Sequence, residues 1–147
     1  MIRHARADEA VWVADAIAAA FRGCIPRMGR VPAPMMADHA ALIAAGEVYV
    51  CEEEGARLGL IVMRGAADHL HVDILAVLPA AQHRGTGQQM MRFAEGEALK
   101  LGLPTVRLYT NTTMTETRRF YLRLGYRQVD ARCEDGFDRV FFEKRLA

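Results

Sequence analysis

The sequence predicts an α/β (α+β) fold with a mixed, largely antiparallel central sheet of about seven strands and helices on both faces. Segments of strand and helix character follow one another in the order β-α-α-β-β-β-α-β-α-β-β, and strands dominate the middle of the chain. A glycine-containing loop joins a long predicted strand to a helix, and the chain ends in a hairpin whose turn is Asp135-Gly136.

The N-terminal third is predicted to hold one strand and two helices. Apolar residues at helical spacing indicate the first helix, and a segment with three prolines and two glycines indicates a loop. The elements are a strand over residues 2–5, a helix with Asp8 as its N-cap and Val13, Ile17 and Phe21 on one face, a loop over residues 22–34, and a helix over residues 35–45 closed by Gly46.

The remaining elements follow from alternation, helical spacing and residues that end regular structure. A turn at Glu54-Gly55 separates two central strands, Pro79 ends the next strand, and Gly102 and Gly125 end the two helices. The predicted strands are residues 48–52, 57–63, 69–78, 106–109, 128–133 and 137–146, and the predicted helices are residues 88–101, with Met90, Met91, Ala94, Ala98 and Leu101 on one side, and residues 115–124.

Composition limits the class of protein. The chain has 147 residues, 52% hydrophobic and 25% charged, which predicts a single domain over residues 1–147. A net charge of +1 gives no general attraction to nucleic acid, and no apolar run reaches the roughly 20 residues needed to cross a membrane. The three cysteines are scattered, which predicts a reduced, cytoplasmic protein without a zinc site; Cys51 and Cys133 fall on predicted strands and are expected in the core.

Residues 82–87, Gln-His-Arg-Gly-Thr-Gly, lie between a predicted strand and a predicted helix. The first amides of a helix have no internal partner and the helix dipole makes that end positive, so a phosphate can satisfy both. Gly85 and Gly87 let the backbone turn with positive φ, and Arg84 adds a charged donor. The loop matches neither a Walker loop nor a dinucleotide fingerprint. The alternative is an ordinary loop with two glycines.

Several segments together resemble the GNAT superfamily of N-acetyltransferases. The pattern Gln-x-x-Gly-x-Gly, after a strand ending Leu75-Ala76-Val77, resembles the acetyl-CoA loop of that family. Asn111, Met114 and residues 120–126, Phe-Tyr-Leu-Arg-Leu-Gly-Tyr, resemble its second motif, and the ending at residues 142–146 is also typical of it. The order of strands and helices agrees from Ile2 to Leu146, so the resemblance covers nearly the whole chain.

The resemblance implies how acetyl-CoA is held. The amides of the loop would cradle its pyrophosphate, and the strand before the loop would pair with the pantetheine arm like an added strand. Related sequences often carry Asn at the position of Thr117, so one contact is expected to be weaker here. The implied cofactor contacts are Leu75, Ala76, Val77, Gln82, His83, Arg84, Gly85, Thr86, Gly87, Asn111, Thr117 and Tyr121.

Acyl transfer to an amine is helped by a proton donor for the departing thiolate, although such a donor is not essential. Tyr121 stands where the family places its acid, and a phenol, with an ordinary pKa of about 10, is protonated at neutral pH. Phe120 and Leu124 are spaced four apart and predict the buried stripe of their helix, which leaves Tyr121 one step off it. The alternative role for Tyr121 is that of a core aromatic residue.

His71 and Asp73 are the candidates for the base. His69, His71, Asp73, Leu75 and Val77 alternate to one face of the long strand, and polar residues crowding a central strand indicate a cleft. Some family members carry a glutamate base close to the position of His71. An imidazole, with an ordinary pKa of about 6.5, is suited to accept a proton from the amine. Asp73 is too acidic unless it is desolvated. Solvated or structurally hydrogen-bonded side chains are the alternative for both.

The resemblance implies an enzyme that moves an acetyl group from acetyl-CoA to a primary amine of a small molecule or peptide by direct transfer in a ternary complex, without a metal. A non-catalytic acyl-CoA-binding sensor or regulatory module is the alternative; it would need the loop glycines but neither Tyr121 nor His71. No nucleic-acid or membrane partner is expected. Family members often form dimers, so a homodimer is an open alternative for this chain. Basic residues between the first two helices hint at an acceptor with an acidic group.

Overall fold

The computed structural model describes residues 1–146 and contains five α-helices and seven strands in that part of the chain. The helices are α1 (Ala10–Phe21), α2 (Ile25–Met28), α3 (His39–Ala44), α4 (Thr86–Lys100) and α5 (Thr115–Arg123). The strands are β1 (Ile2–His4), β2 (Val48–Glu53), β3 (Ala56–Gly65), β4 (Leu70–Val77), β5 (Thr105–Asn111), β6 (Arg127–Glu134) and β7 (Phe137–Arg145).

All seven strands belong to one mixed sheet, in the order β1-β2-β3-β4-β5-β7-β6. The pairs β1–β2, β2–β3, β5–β7 and β6–β7 are antiparallel, whereas β4–β5 is parallel. The predicted fold class and strand number are therefore confirmed. The hairpin turns at Glu54-Gly55 and Asp135-Gly136 have positive φ at both residues, as the turn chemistry predicts.

The chain divides into two compact units, and the division passes through β4 and α4. The first unit holds Met1–Met63 and Ile74–Phe93, and the second holds Arg64–Asp73 and the chain from Ala94 onward. The single domain expected over residues 1–147 therefore stays a prediction, and its last residue, Ala147, lies outside the described residues.

The first unit has helices on both faces of its strands. Residues of α1, among them Val13 and Ile17, pack in one core with Leu60 and Val62 of β3. Gly59 precedes Leu60 in β3, so a Cβ atom on it would project from the opposite face of the sheet. That Cβ would lie 3.1 Å from the Met90 side chain of α4. The predicted two-sided helix packing is thus present in this unit.

Several predicted helix boundaries are wrong near the N-terminus. Asp8 is not the N-cap, because Ala7–Glu9 forms a 3-10 turn and Glu9 is the residue that precedes α1. The predicted loop over residues 22–34 contains α2. The predicted helix over residues 35–45 begins only at His39, where the Asp38 carboxylate accepts a hydrogen bond from the Ala41 amide at 3.1 Å. Gly46 follows α3 with φ of 74°, as its C-cap role predicts.

Two expectations about the core are also wrong. Leu101 is 61% exposed because α4 ends at Lys100, so the helical spacing no longer applies to it. Cys133 is exposed because β6 is the last strand of the sheet and seven of its eight residues are exposed. Met90, Met91, Ala94 and Ala98 of α4 are all buried, as predicted.

Candidate active site

The loop before α4 is exposed and has an unusual backbone. Gln82 to Gly85 are all exposed, and both His83 and Gly85 have positive φ, at 64° and 81°. A left-handed conformation costs a non-glycine residue about 1 kcal/mol or more, so His83 stores strain of the kind found at binding sites. Positive φ was expected at Gly87, but this residue does not adopt it, because α4 begins at Thr86, two residues earlier than predicted.

Two side chains fix the shape of this loop. The Thr86 hydroxyl is buried and donates to the Ala81 carbonyl oxygen at 3.3 Å, and the Gln82 amide nitrogen donates to the Val77 carbonyl oxygen at 3.1 Å. Within residues 1–146, the first amide after Gln82 that donates to a backbone carbonyl is that of Gln89, which reaches the Gly85 oxygen at 3.0 Å. The intervening amides, at the start of a 15-residue helix, can therefore donate to an anion.

The strand that leads into the loop is held close to its neighbour by a glycine. Ala76 is buried, while Leu75 and Val77 are partly buried on the other face of β4. A Cβ atom on Gly59 of β3 would lie 2.4 Å from the Ala76 carbonyl oxygen, a distance that no side chain tolerates. Gly59 is therefore required for the path of β4 between Leu75 and Val77.

The other half of β4 carries a polar row, as the alternation predicts. His71 and Asp73 face one side, with His71 Nε2 3.5 Å from the Asp73 carboxylate. The ring of His71 lies 6.0 Å from that of Tyr109 and 6.4 Å from that of His69. Arg64 places a guanidinium nitrogen 3.5 Å from the second oxygen of Asp73.

This arrangement separates the two candidates for the base. The neighbouring His71 side chain, opposed by burial and helped by Arg64, lowers the pKa of Asp73 below its ordinary value. A carboxylate with a lowered pKa is a weaker base, so Asp73 is better suited to orient His71 or to attract a cation. His71, which is one-fifth exposed, is the more suitable proton acceptor of the two.

Tyr121 is the buried residue of α5, not one step off the buried stripe. It is 5% exposed, and its ring packs against those of Phe120, Tyr126 and Phe142. Two of these neighbours lie outside α5, which is why helical spacing alone misjudged it. Burial raises the pKa of the Tyr121 hydroxyl far above its ordinary value, so the hydroxyl stays protonated and can act only as a donor.

Asn111 and Thr117 lie on either side of the turn into α5. The Asn111 side-chain oxygen accepts hydrogen bonds from the Thr113 amide at 3.0 Å and the Thr113 hydroxyl at 2.8 Å. This leaves the Asn111 amide nitrogen as the donor that a ligand could use. Thr117 is partly buried in the first turn of α5.

The second unit also contains a groove of about 510 Å³, lined in part by His69 and His71, the residues whose spacing indicated a cleft. It is lined by residues of four strands, including His69, His71, Arg107, Arg132, Phe141 and Glu143. Alternation along β5 and β7 could have placed Arg107 and Glu143 on one face, but only the strand order β5-β7-β6 brings Arg132 to the same groove.

No helix in residues 1–146 is both long and apolar enough to span a membrane. In the same part of the chain, no three or more His, Cys, Asp or Glu side chains are grouped so that they could hold a metal ion.

Comparisons with known proteins agree on one family. A model of the acetyltransferase (GNAT) domain matches residues 44–128. An aminoalkylphosphonate N-acetyltransferase from Salmonella typhimurium is 37% identical over 67 residues, which are 41% of this chain and 44% of that protein. The match therefore spans less than half the length of this curated relative.

Solved structures show the same fold. The PaiA N-acetyltransferase of Thermoplasma acidophilum, in complex with coenzyme A, superposes with a TM-score of 0.83 over 99% of this chain and 98% of its own, at 17% identity. An acetyltransferase from Bacillus cereus is 32% identical and has a TM-score of 0.58, over 67% of this chain and 71% of its own.

Proposed function

This chain belongs to the GNAT acetyltransferase family, and we propose that it is an acyl-CoA-dependent N-acetyltransferase that acetylates a primary amine of a small molecule or peptide. The observation that carries the proposal is the exposed loop Gln82 to Gly85 before α4: from His83 up to Gln89, no amide donates to a backbone carbonyl in the described residues. A diphosphate is the ligand that such a loop fits, because it offers many acceptors to a positive helix end.

We assign the cofactor roles residue by residue. The amides of His83 to Gly87 bind the pyrophosphate, Arg84 adds a charge, and Gln82 holds the loop to β4. Leu75 to Val77 offer backbone groups to the pantetheine arm, which lies beside β4 like an added strand. Asn111 and Thr117 contribute polar contacts near α5.

The transfer chemistry uses two side chains of the second unit. Bound acetyl-CoA supplies the thioester carbonyl that the amine attacks. The His71 imidazole accepts the proton that the amine nitrogen loses as the new C–N bond replaces the C–S bond. Asp73, still ionised because its pKa is lowered, stabilises the resulting imidazolium. The Tyr121 hydroxyl donates a hydrogen bond to the departing sulfur, which as a thiolate needs no stronger acid.

A covalent route through a cysteine has little support. Cys51 is buried and burial raises the pKa of its thiol, which disfavours the nucleophilic thiolate. Cys24 is also buried, and Cys133 lies on the exposed strand β6. Direct transfer in a ternary complex therefore agrees best with the side chains present.

The cofactor part of the proposal is tested with a matched pair of glycine variants. Gly85 and Gly46 both have positive φ and open space around a Cβ atom, so Gly85→Ala and Gly46→Ala carry similar backbone strain. We expect Gly85→Ala to weaken acetyl-CoA binding about tenfold in calorimetry, equivalent to about 1.4 kcal/mol, and Gly46→Ala to leave it unchanged. Absence of binding heat with any CoA ester would refute the assignment of acetyl-CoA as the acyl donor.

Turnover is tested by following thiol release with a panel of amines. Tyr121→Phe keeps the ring packing against Phe142 and removes only the hydroxyl, so binding of acetyl-CoA should persist while kcat falls about 100-fold. Unchanged kcat in that variant would remove Tyr121 from the mechanism. Tight binding of acetyl-CoA with no thiol release on a broad panel would instead favour the non-catalytic acyl-CoA-binding module.

A further inference from the structure

The groove in the second unit has a charge pattern that indicates what it binds. Its rim carries two guanidinium groups, Arg107 and Arg132, and two carboxylates, Asp130 and Glu143. The charges are thus balanced, which disfavours a ligand with a large net charge of either sign. The aromatic ring of Phe141 forms part of the lining between them.

Both arginines keep donors that their carboxylate partners do not use. Arg107 donates through Nε to Glu143 at 2.9 Å, and within residues 1–146 its two terminal nitrogens make no further hydrogen bond. Arg132 pairs through Nε with Glu134 at 2.8 Å and through Nη1 with Asp130 at 3.1 Å, which leaves Nη2. Arg132 is also held over the Phe141 ring at 4.2 Å. The carboxylates therefore hold the guanidinium groups in place and leave some of their N–H donors available to a ligand.

These donors lie beside the candidate base. His71 is the register partner of Arg107 across the β4–β5 ladder, and neighbouring strands are about 4.8 Å apart. His71 also lines the groove, and Asp73 follows it on the same face of β4. An oxyanion at Arg107 and an amine at His71 are thus within reach of one short molecule.

We propose that this groove binds the acceptor as a zwitterion, a primary amine joined by a short aliphatic chain to a carboxylate or phosphonate. The inference rests on the proposed transferase function and deepens it by naming the acceptor class. The oxyanion takes the spare donors of Arg107 and Arg132, as charge-assisted hydrogen bonds favour. The ammonium end lies towards His71 and Asp73; it loses its first proton to solvent, and His71 accepts the second as the C–N bond forms.

The test compares acceptors that differ in the acid group. Initial rates of thiol release are measured with β-alanine, 2-aminoethylphosphonate and n-propylamine. We expect kcat/KM for at least one of the two acids to exceed that for propylamine about 100-fold, because propylamine has no acid group to accept charge-assisted hydrogen bonds. The comparison of carboxylate with phosphonate identifies which oxyanion fits better.

Variants locate the effect in the groove. Arg107→Gln and Arg132→Gln should each lower the preference for the acid over propylamine about tenfold, while Arg107→Lys should recover part of it. Arg127→Gln is the matched control: Arg127 also pairs with Glu143, at 3.6 Å, but is 77% exposed and lies outside the groove lining. It should leave the preference unchanged.

The outcomes separate this inference from the proposed function. Equal kcat/KM for acids and propylamine, or equal effects of Arg107→Gln and Arg127→Gln, would overturn the zwitterion assignment while leaving the transferase intact. If no amine is acetylated although acetyl-CoA binds, the transferase proposal fails. Calorimetry of β-alanine and 2-aminoethylphosphonate with the CoA-loaded protein then still tests whether the groove binds a zwitterion. Binding that Arg107→Gln weakens supports the assignment, and no heat with either compound overturns it.

Discussion

Glu9 is a buried carboxylate whose ionisation should stabilise the fold, and this can be measured. Only 2% of its side chain is exposed, yet it accepts hydrogen bonds from both terminal nitrogens of Arg3, at 2.8 and 3.0 Å. Arg57 and the Arg6 amide add further donors at 3.1 and 2.8 Å. We expect Glu9→Gln, which keeps the shape and removes the charge, to lose most of this stabilisation.

The magnitude follows from the pKa. The Arg3 guanidinium, with the Arg6 amide and Arg57, lowers the pKa of Glu9 from 4.5 to about 2 against the opposing effect of burial. At about 1.4 kcal/mol for each pH unit, this favours the ionised folded state by about 3 kcal/mol. Because the folded pKa is the lower one, the full contribution is present above about pH 4.5 and is lost as the pH falls towards 2.

Denaturant unfolding at a series of pH values tests this reasoning. At pH 7, Glu9→Gln should lower the free energy of unfolding by about 3 kcal/mol, and the difference from the unmodified protein should shrink steadily below pH 4.5. Asp8→Asn is the matched control, because the Asp8 side chain is 80% exposed and should change little. A difference for Glu9→Gln that is the same at pH 7 and pH 3 would refute the electrostatic explanation.

Two glycines give opposite predictions for the same substitution. Gly59→Ala should destabilise the protein by about 1–3 kcal/mol, because its Cβ would lie 2.4 Å from the Ala76 oxygen and the β3–β4 backbones must move apart. Gly96→Ala, inside α4 with nothing within 4 Å of the new Cβ, should stabilise it by about 0.5–1 kcal/mol. Thermal unfolding of both variants checks the sign; a loss of stability in Gly96→Ala would contradict the open space at that position.

Local chemistry made much of this structure predictable. The turns at Glu54-Gly55 and Asp135-Gly136 and the helix ends at Gly46, Gly102 and Gly125 depend on positive φ, which glycine adopts without steric cost. The strand before residues 82–87 was predicted from its length and from Pro79, and the helix after them from helical spacing. The error of two residues at the start of α4 arose because Thr86 bonds back to Ala81, a contact that no sequence pattern indicates.

Long-range packing accounts for what the sequence did not predict. Tyr121 packs against Tyr126, just after α5, and against Phe142 of β7, the strand inserted between β5 and β6. The same insertion builds the groove that Arg107 and Arg132 line. The single-turn helix α2 was missed because Pro26 and Gly29, which favour a loop, also fit the start and the end of a helix.

The positions of the proposed base and donor support direct transfer. In the second unit His71 lies near Tyr109, whose ring contacts Phe141, whereas Tyr121 packs against Phe142, and successive residues of a strand face opposite sides. The two groups therefore approach the sheet from opposite faces. A base on one face and a donor to sulfur on the other suit a single displacement, in which amine enters as thiolate leaves, better than a route through one acylated side chain.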